Sequence, residues 1–120
     1  WKAPTSGGST GRPKLIVAGQ PGLASPISAE FWRISSDDVV LMPAPLYHNG
    51  PIVTVFPALQ VGATVVIMPR FEADRTRQRS QQQRATWLYL VPTMMGRIWR
   101  LPEEVRTSVS RGEIFQAWER

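Results

Sequence analysis

The sequence has no cysteine and a single histidine, His48. The first absence excludes a disulfide framework, a thiolate nucleophile and a zinc–thiolate site together. One imidazole is too few for a histidine-rich metal site, so no metal ligands are assigned. No apolar run approaches the roughly 20 residues that a membrane-spanning helix needs. The N-terminus lacks the charged-then-apolar order of a secretory leader, and a soluble cytoplasmic location is the expectation. At 120 residues the chain holds one domain at most. It begins at Trp1 rather than Met, and it reads as a piece of something longer.

Charge is in excess but uneven. Of a net +5, residues 1–60 carry four Lys and Arg against three acids, while residues 61–120 carry ten Arg against six acids. A basic excess invites a nucleic-acid partner, but the arginines between positions 75 and 84 lie among Gln and Ser without an aromatic platform. A solvated helix face is expected there, and no nucleic-acid partner. A positive surface also suits an enzyme with anionic substrates.

The stretch that stands out is Thr5-Ser6-Gly7-Gly8-Ser9-Thr10-Gly11-Arg12-Pro13-Lys14, with three glycines, four hydroxyls and a lysine in ten residues. Glycines let successive N–H groups turn toward one anion, hydroxyls add donors, and a lysine adds a mobile positive charge. A flexible Gly/Ser linker is the bland alternative, but it has no use for the Arg-Pro-Lys ending or for the apolar Leu15-Ile16-Val17 that follows. A Walker-type loop is excluded, because Arg12 and Pro13 follow Gly11 and Pro13 removes a donor from an early helix turn. The loop is expected to bridge two strands.

Residues 15–18 read as a short strand, and residues 28–34 as a possible helical stretch opened by Ser28. Val39-Val40-Leu41-Met42 is a continuous apolar run between Asp38 and Pro43, the mark of a strand buried on both faces. Residues 51–61 predict a helix with Ile52, Val53, Val55, Phe56 and Leu59 as its apolar stripe, kinked or shortened by Pro57 and stopped by Gly62. Residues 64–68 and 86–91 predict further buried strands, and Pro92 opens a helix through Leu101. Strands alternating with helices imply an α/β fold with a parallel sheet and right-handed crossovers. Residues 72–84 should be a crossover helix, yet Ala73 is their only apolar residue, too little to cover a sheet. The five tryptophans, Met94 and Met95 read as packing, and Tyr47 as either a core aromatic or a pocket residue.

The glycine-rich run, Pro45-Leu46-Tyr47-His48-Asn49-Gly50, and the segments Gly62-Ala63-Thr64 to Phe71 and Arg84-Ala85-Thr86 to Val91-Pro92-Thr93-Met94 follow one another in order. Together they resemble the AMP-forming acyl/aryl-CoA synthetases, the adenylate-forming superfamily, over roughly residues 5–105. The wording of the loop and of Trp87-Leu88-Tyr89-Leu90-Val91-Pro92 looks most like a bile-acid-type or fatty-acid CoA ligase. The resemblance implies that residues 1–120 are part of the large N-terminal AMP-binding domain, with 106–120 a divergent tail. It implies a reaction with a small-molecule carboxylic acid, ATP, Mg²⁺ and CoA, in which an acyl-adenylate forms with loss of pyrophosphate before acyl transfer to CoA. Thr5, Ser6, Gly7, Gly8, Ser9, Thr10, Gly11 and Lys14 would hold the phosphates, with Thr10 and Lys14 the direct polar contacts. Gly8 and Ser9 stand where many relatives have two threonines. His48 would act beside the acid and the α-phosphate, on the same cleft as the loop but not as a nucleophile. The family's adenine motif, ribose aspartate, hinge and catalytic lysine do not occur in these 120 residues. A phosphate-binding module that ligates nothing, or a truncated product without catalysis, stay open as alternatives.

Overall fold

The structure is a computed structural model and describes residues 3, 5, 11–17, 19 and 29–103. Three parallel strands, β1 (Val39–Met42), β2 (Thr64–Ile67) and β3 (Trp87–Leu88), alternate with three helices, α1 (Asn49–Gln60), α2 (Ala73–Gln82) and α3 (Pro92–Trp99). The sheet order is β2-β1-β3, with Val39 opposite Thr64 and Val40 opposite Trp87. The α/β parallel architecture is the expected one.

β1 is central because its four residues are apolar on both faces, and Val40, Leu41 and Met42 are fully buried. The two crossovers run in opposite directions across the sheet, so right-handed connections place α1 and α2 on opposite faces. The core divides in the same way. Val40 packs with Ala58 of α1, and Met42 with Val55, whereas Leu41 packs with Met68, Ala85, Val66 and Leu88.

Several expectations shift. β2 is the sheet's edge among the described residues, with Ile67 52% exposed, so it is not a buried strand. β3 is two residues long, although the ladder runs on through Thr86 N–H to Val39 O (3.0 Å) and Tyr89 N–H to Leu41 O (3.1 Å). α3 stops at Trp99, and Leu101 lies beyond it. Residues 16 and 17 are in no strand, Leu15 makes one bridge, and all three side chains are exposed. Ser28 and residues 106–120 lie outside the described residues.

Helix α1 buries Pro51, Val53, Thr54, Val55, Pro57 and Ala58, leaving Leu59 58% exposed. The buried stripe is therefore centred on Thr54 and Ala58 rather than on Ile52, Phe56 and Leu59. The helix also passes through Pro57 to Gln60 without being cut short. A proline has no N–H for the carbonyl four residues back, here that of Val53. The indole N–H of Trp32 donates to that oxygen at 3.2 Å. Trp32 is thus more than packing: it satisfies the acceptor that Pro57 orphans.

Helix α2 forms despite its composition. It buries Thr76 and Ser80, small residues four apart; Gln78 bonds to Asp74 (2.9 Å) on the exposed side, and the largely buried Arg77 bonds to Gln81 (2.9 Å). Two small residues are thus buried where an aliphatic stripe would be expected.

The turn at residues 29–33 and helices α1 and α2, which precede the three strands, end alike. Ile34 N–H reaches Ala29 O (2.8 Å), Ala63 N–H reaches Ala58 O (3.0 Å) and Ala85 N–H reaches Ser80 O (2.9 Å). Each is flanked by a bond from the preceding residue to the carbonyl three positions back, and by a left-handed backbone at Arg33, Gly62 and Arg84 (φ 53°, 82° and 50°). These are Schellman closures. Asp38 knits the same edge: its carbonyl accepts Thr64 N–H (3.0 Å), and its carboxylate accepts the Thr86 hydroxyl (2.6 Å).

Candidate functional site

The strands run parallel, so the loops leaving their carboxyl ends gather on one edge, where open α/β sheets place ligands. Residues 43–48 leave β1 there. His48 is the N-cap of α1, extended (φ −82°, ψ 148°), with its carbonyl accepting Ile52 N–H at 3.3 Å. Its imidazole makes no capping bond and lies 4.5 Å from the Tyr47 ring, tilted by 51°. Tyr47 is 80% exposed, which removes the core reading of that residue. The first turn of α1 carries no acidic side chain, so the positive end of its dipole is uncompensated beside His48.

A third strand end closes on this place. Tyr89 follows β3, and a Cβ built on Gly50 would collide with the Tyr89 hydroxyl. The ring belongs to the cluster of Met42, Ala44, Val55, Leu46 and Met94, and it reaches from the end of β3 across β1 to the first turn of α1. Nothing in the local patterning links positions 50 and 89. The position of Tyr89 at the carboxyl end of a strand before Val91-Pro92 was the one available signal.

Of the glycine-rich run, Thr5, Gly11, Arg12, Pro13 and Lys14 are described, and all are exposed. Thr5 and Leu15 form an antiparallel bridge. Thr5 and Leu15 thus pair at one point on either side of the run, but no strand flanks it among the described residues, unlike the two strands expected. Ser6, Gly7, Gly8, Ser9 and Thr10 lie outside the described residues, and the expected shared cleft with His48 falls on them. Among the described residues no group of three His, Cys, Asp or Glu side chains is placed to hold a metal ion. Among them, too, no helix is long and apolar enough to cross a membrane.

Asp38 sits on the opposite, amino-terminal edge. Burial pushes its carboxyl up, but the bonds donated by the Thr86 hydroxyl, Ser35 N–H and Ser35 hydroxyl outweigh this and hold it below the usual aspartate value.

Known proteins are similar to this chain in sequence and in fold. Indoleacetate–CoA ligase of Aromatoleum aromaticum is 40% identical over 91 residues, covering 73% of this chain and 18% of that protein. The inhibitor-bound N-terminal domain of FACL13 from Mycobacterium tuberculosis shares the fold, with a TM-score of 0.78 at 23% identity over 93% of this chain and 28% of that one. The Bacillus subtilis o-succinylbenzoate CoA synthetase, solved with ATP and magnesium ion, gives a TM-score of 0.68 at 26% identity, covering 84% and 22% of the two chains. The chain spans 17–21% of the length of the curated relatives it matches. The family model for AMP-binding enzymes matches residues 4–115, and the chain belongs to that family.

Proposed function

We propose that this chain supplies the phosphate-binding loop and part of the acid pocket of an ATP-dependent, AMP-forming carboxylic acid:CoA ligase. Residues 1–120 would form part of its AMP-binding domain, with 106–120 a divergent tail. The observation that carries the reading is the glycine, hydroxyl and lysine run, tied at its base by the Thr5–Leu15 bridge within a chain of this family.

A carboxylate is a poor acyl donor until one of its oxygens becomes a good leaving group. Its attack on the α-phosphorus of Mg·ATP forms the acyl-adenylate and expels pyrophosphate; the thiol of CoA then takes the acyl group and AMP leaves. Charge builds on the β- and γ-phosphates in the first step, where N–H donors and a cation stabilise it most. The loop fits that demand: Gly7, Gly8 and Gly11 allow N–H groups to converge, Thr5, Ser6, Ser9 and Thr10 add hydroxyls, and the exposed Lys14 brings a positive charge. Mg²⁺ would travel with ATP, held chiefly by phosphate oxygens. His48, beside the uncompensated end of α1, would orient the acid carboxylate against the α-phosphate.

Pyrophosphate exchange into ATP in the full-length protein that carries this chain tests the reading. Lys14→Ala is expected to lower acid-dependent exchange by about 10²-fold, the cost of losing a preorganised donor to the transition state. His48→Ala is expected to raise the Michaelis constant for the acid more than that for CoA. Exchange indifferent to both substitutions would refute the assignment.

A further inference from the structure

We infer that Tyr89 sets the depth of the acid site and that, paired with Gly50, it restricts the enzyme to compact carboxylic acids. This rests on the reading of the His48 edge as an acid pocket.

The observation is a size exchange between two positions on different elements. Gly50 has no side chain, and the Tyr89 hydroxyl occupies the space where its Cβ would be. The residue is held through its backbone and its ring. Its N–H is bonded to Leu41 O at 3.1 Å, and its ring packs against the cluster of Met42, Ala44 and Val55. A tyrosine has two side-chain torsions, so a ring held in this way is a wall rather than a flap. It bars the gap between the end of β3 and the first turn of α1, two residues from His48. An acid with its carboxylate near His48 therefore meets an aromatic barrier before its tail can pass between these elements. Short or compact acids fit; long unbranched chains do not. Replacement of the ring by a small side chain would open a slot lined by Met42, Ala44 and Val55.

The test measures acid-dependent adenylation by the full-length protein with straight-chain acids from propanoate to dodecanoate, for wild type, Tyr89→Ala, Tyr89→Leu and Tyr89→Phe. Wild type is expected to favour the shorter acids. Tyr89→Ala and Tyr89→Leu are expected to raise kcat/KM for the longer acids relative to the shorter ones by about tenfold or more, the discrimination that methylene-sized changes in an apolar pocket give. Tyr89→Phe keeps the wild-type profile, since the ring does the blocking, and the KM for ATP stays level throughout. Tyr89→Leu preserves apolar volume in the cluster and keeps the test open if Tyr89→Ala does not fold. In the double substitution, Gly50→Ala is expected to have no effect beyond that of Tyr89→Ala, because the atom it would strike is gone. A length profile unmoved in active Tyr89→Leu, or a wild type that prefers dodecanoate, overturns this inference alone. A wild type without adenylation of any acid overturns the ligase reading and this inference with it.

Discussion

Asp38 does more for the fold than its place at the end of a loop implies. Its carbonyl holds the start of β2 and its carboxylate the start of β3 through Thr86, whose oxygen in turn accepts Val39 N–H at 2.9 Å. Because its folded pKa is depressed, the stability it contributes is fully present above the unfolded value of about 3.9 and is lost as pH falls through the lower folded value. The difference in thermal midpoint between wild type and Asp38→Asn is therefore expected to be full near neutrality and to narrow in acid below about pH 4. A gap independent of pH would show that the charge is not what matters. Both acids at 37–38 were readable as the end of a segment, but not this role, since Thr86 lies 48 positions away. The same holds for Trp32 with Val53 and for Tyr89 with Gly50: each contact joins separate elements, and only folding brings its members together. By contrast, the glycine-rich run and His48 could be singled out directly, because their chemistry is carried by neighbours in sequence.

At the scale of the elements, β1 and the Pro92 helix start were legible because acids and prolines bound them. Helix α2 was legible as a crossover helix but its buried face was not, since hydropathy treats Thr and Ser as polar and these are the residues it buries. The hydroxyls of Thr76 and Ser80 have no hydrogen-bond partner among the described residues, although both residues are buried. A buried, unsatisfied polar group costs about 1–3 kcal/mol. Thr76→Val keeps the shape and removes the hydroxyl, and it is expected to stabilise the protein by about 1 kcal/mol, read as a higher urea midpoint at constant slope. A loss of stability would mean that the hydroxyl is paired outside the described residues. The misplaced stripe of α1 has a related cause. Two prolines and Thr54 are buried there while Leu59 is exposed, the reverse of what hydropathy ranks first.

For the whole molecule, β1 is well covered but the periphery is not. Leu15, Ile16, Val17, Leu59, Ile67 and Trp99 are each more than half exposed. Exposed apolar side chains and a parallel edge left unpaired among the described residues favour association with other chains. The isolated 120 residues are expected to self-associate, to unfold without a sharp transition and to catalyse no acid-dependent pyrophosphate exchange. A monomer with a cooperative, reversible thermal transition by circular dichroism would contradict the first two, and detectable exchange the third.

The three Schellman closures have a further consequence. They and the Asp38 bonds all lie at the amino ends of the strands, whereas His48, Tyr47 and Tyr89 stand at the carboxyl ends. One rim is stitched and the other is left to vary. New side chains tried on the open rim need not disturb the seam that keeps the strands in register, so that rim can be rebuilt without unseating the sheet.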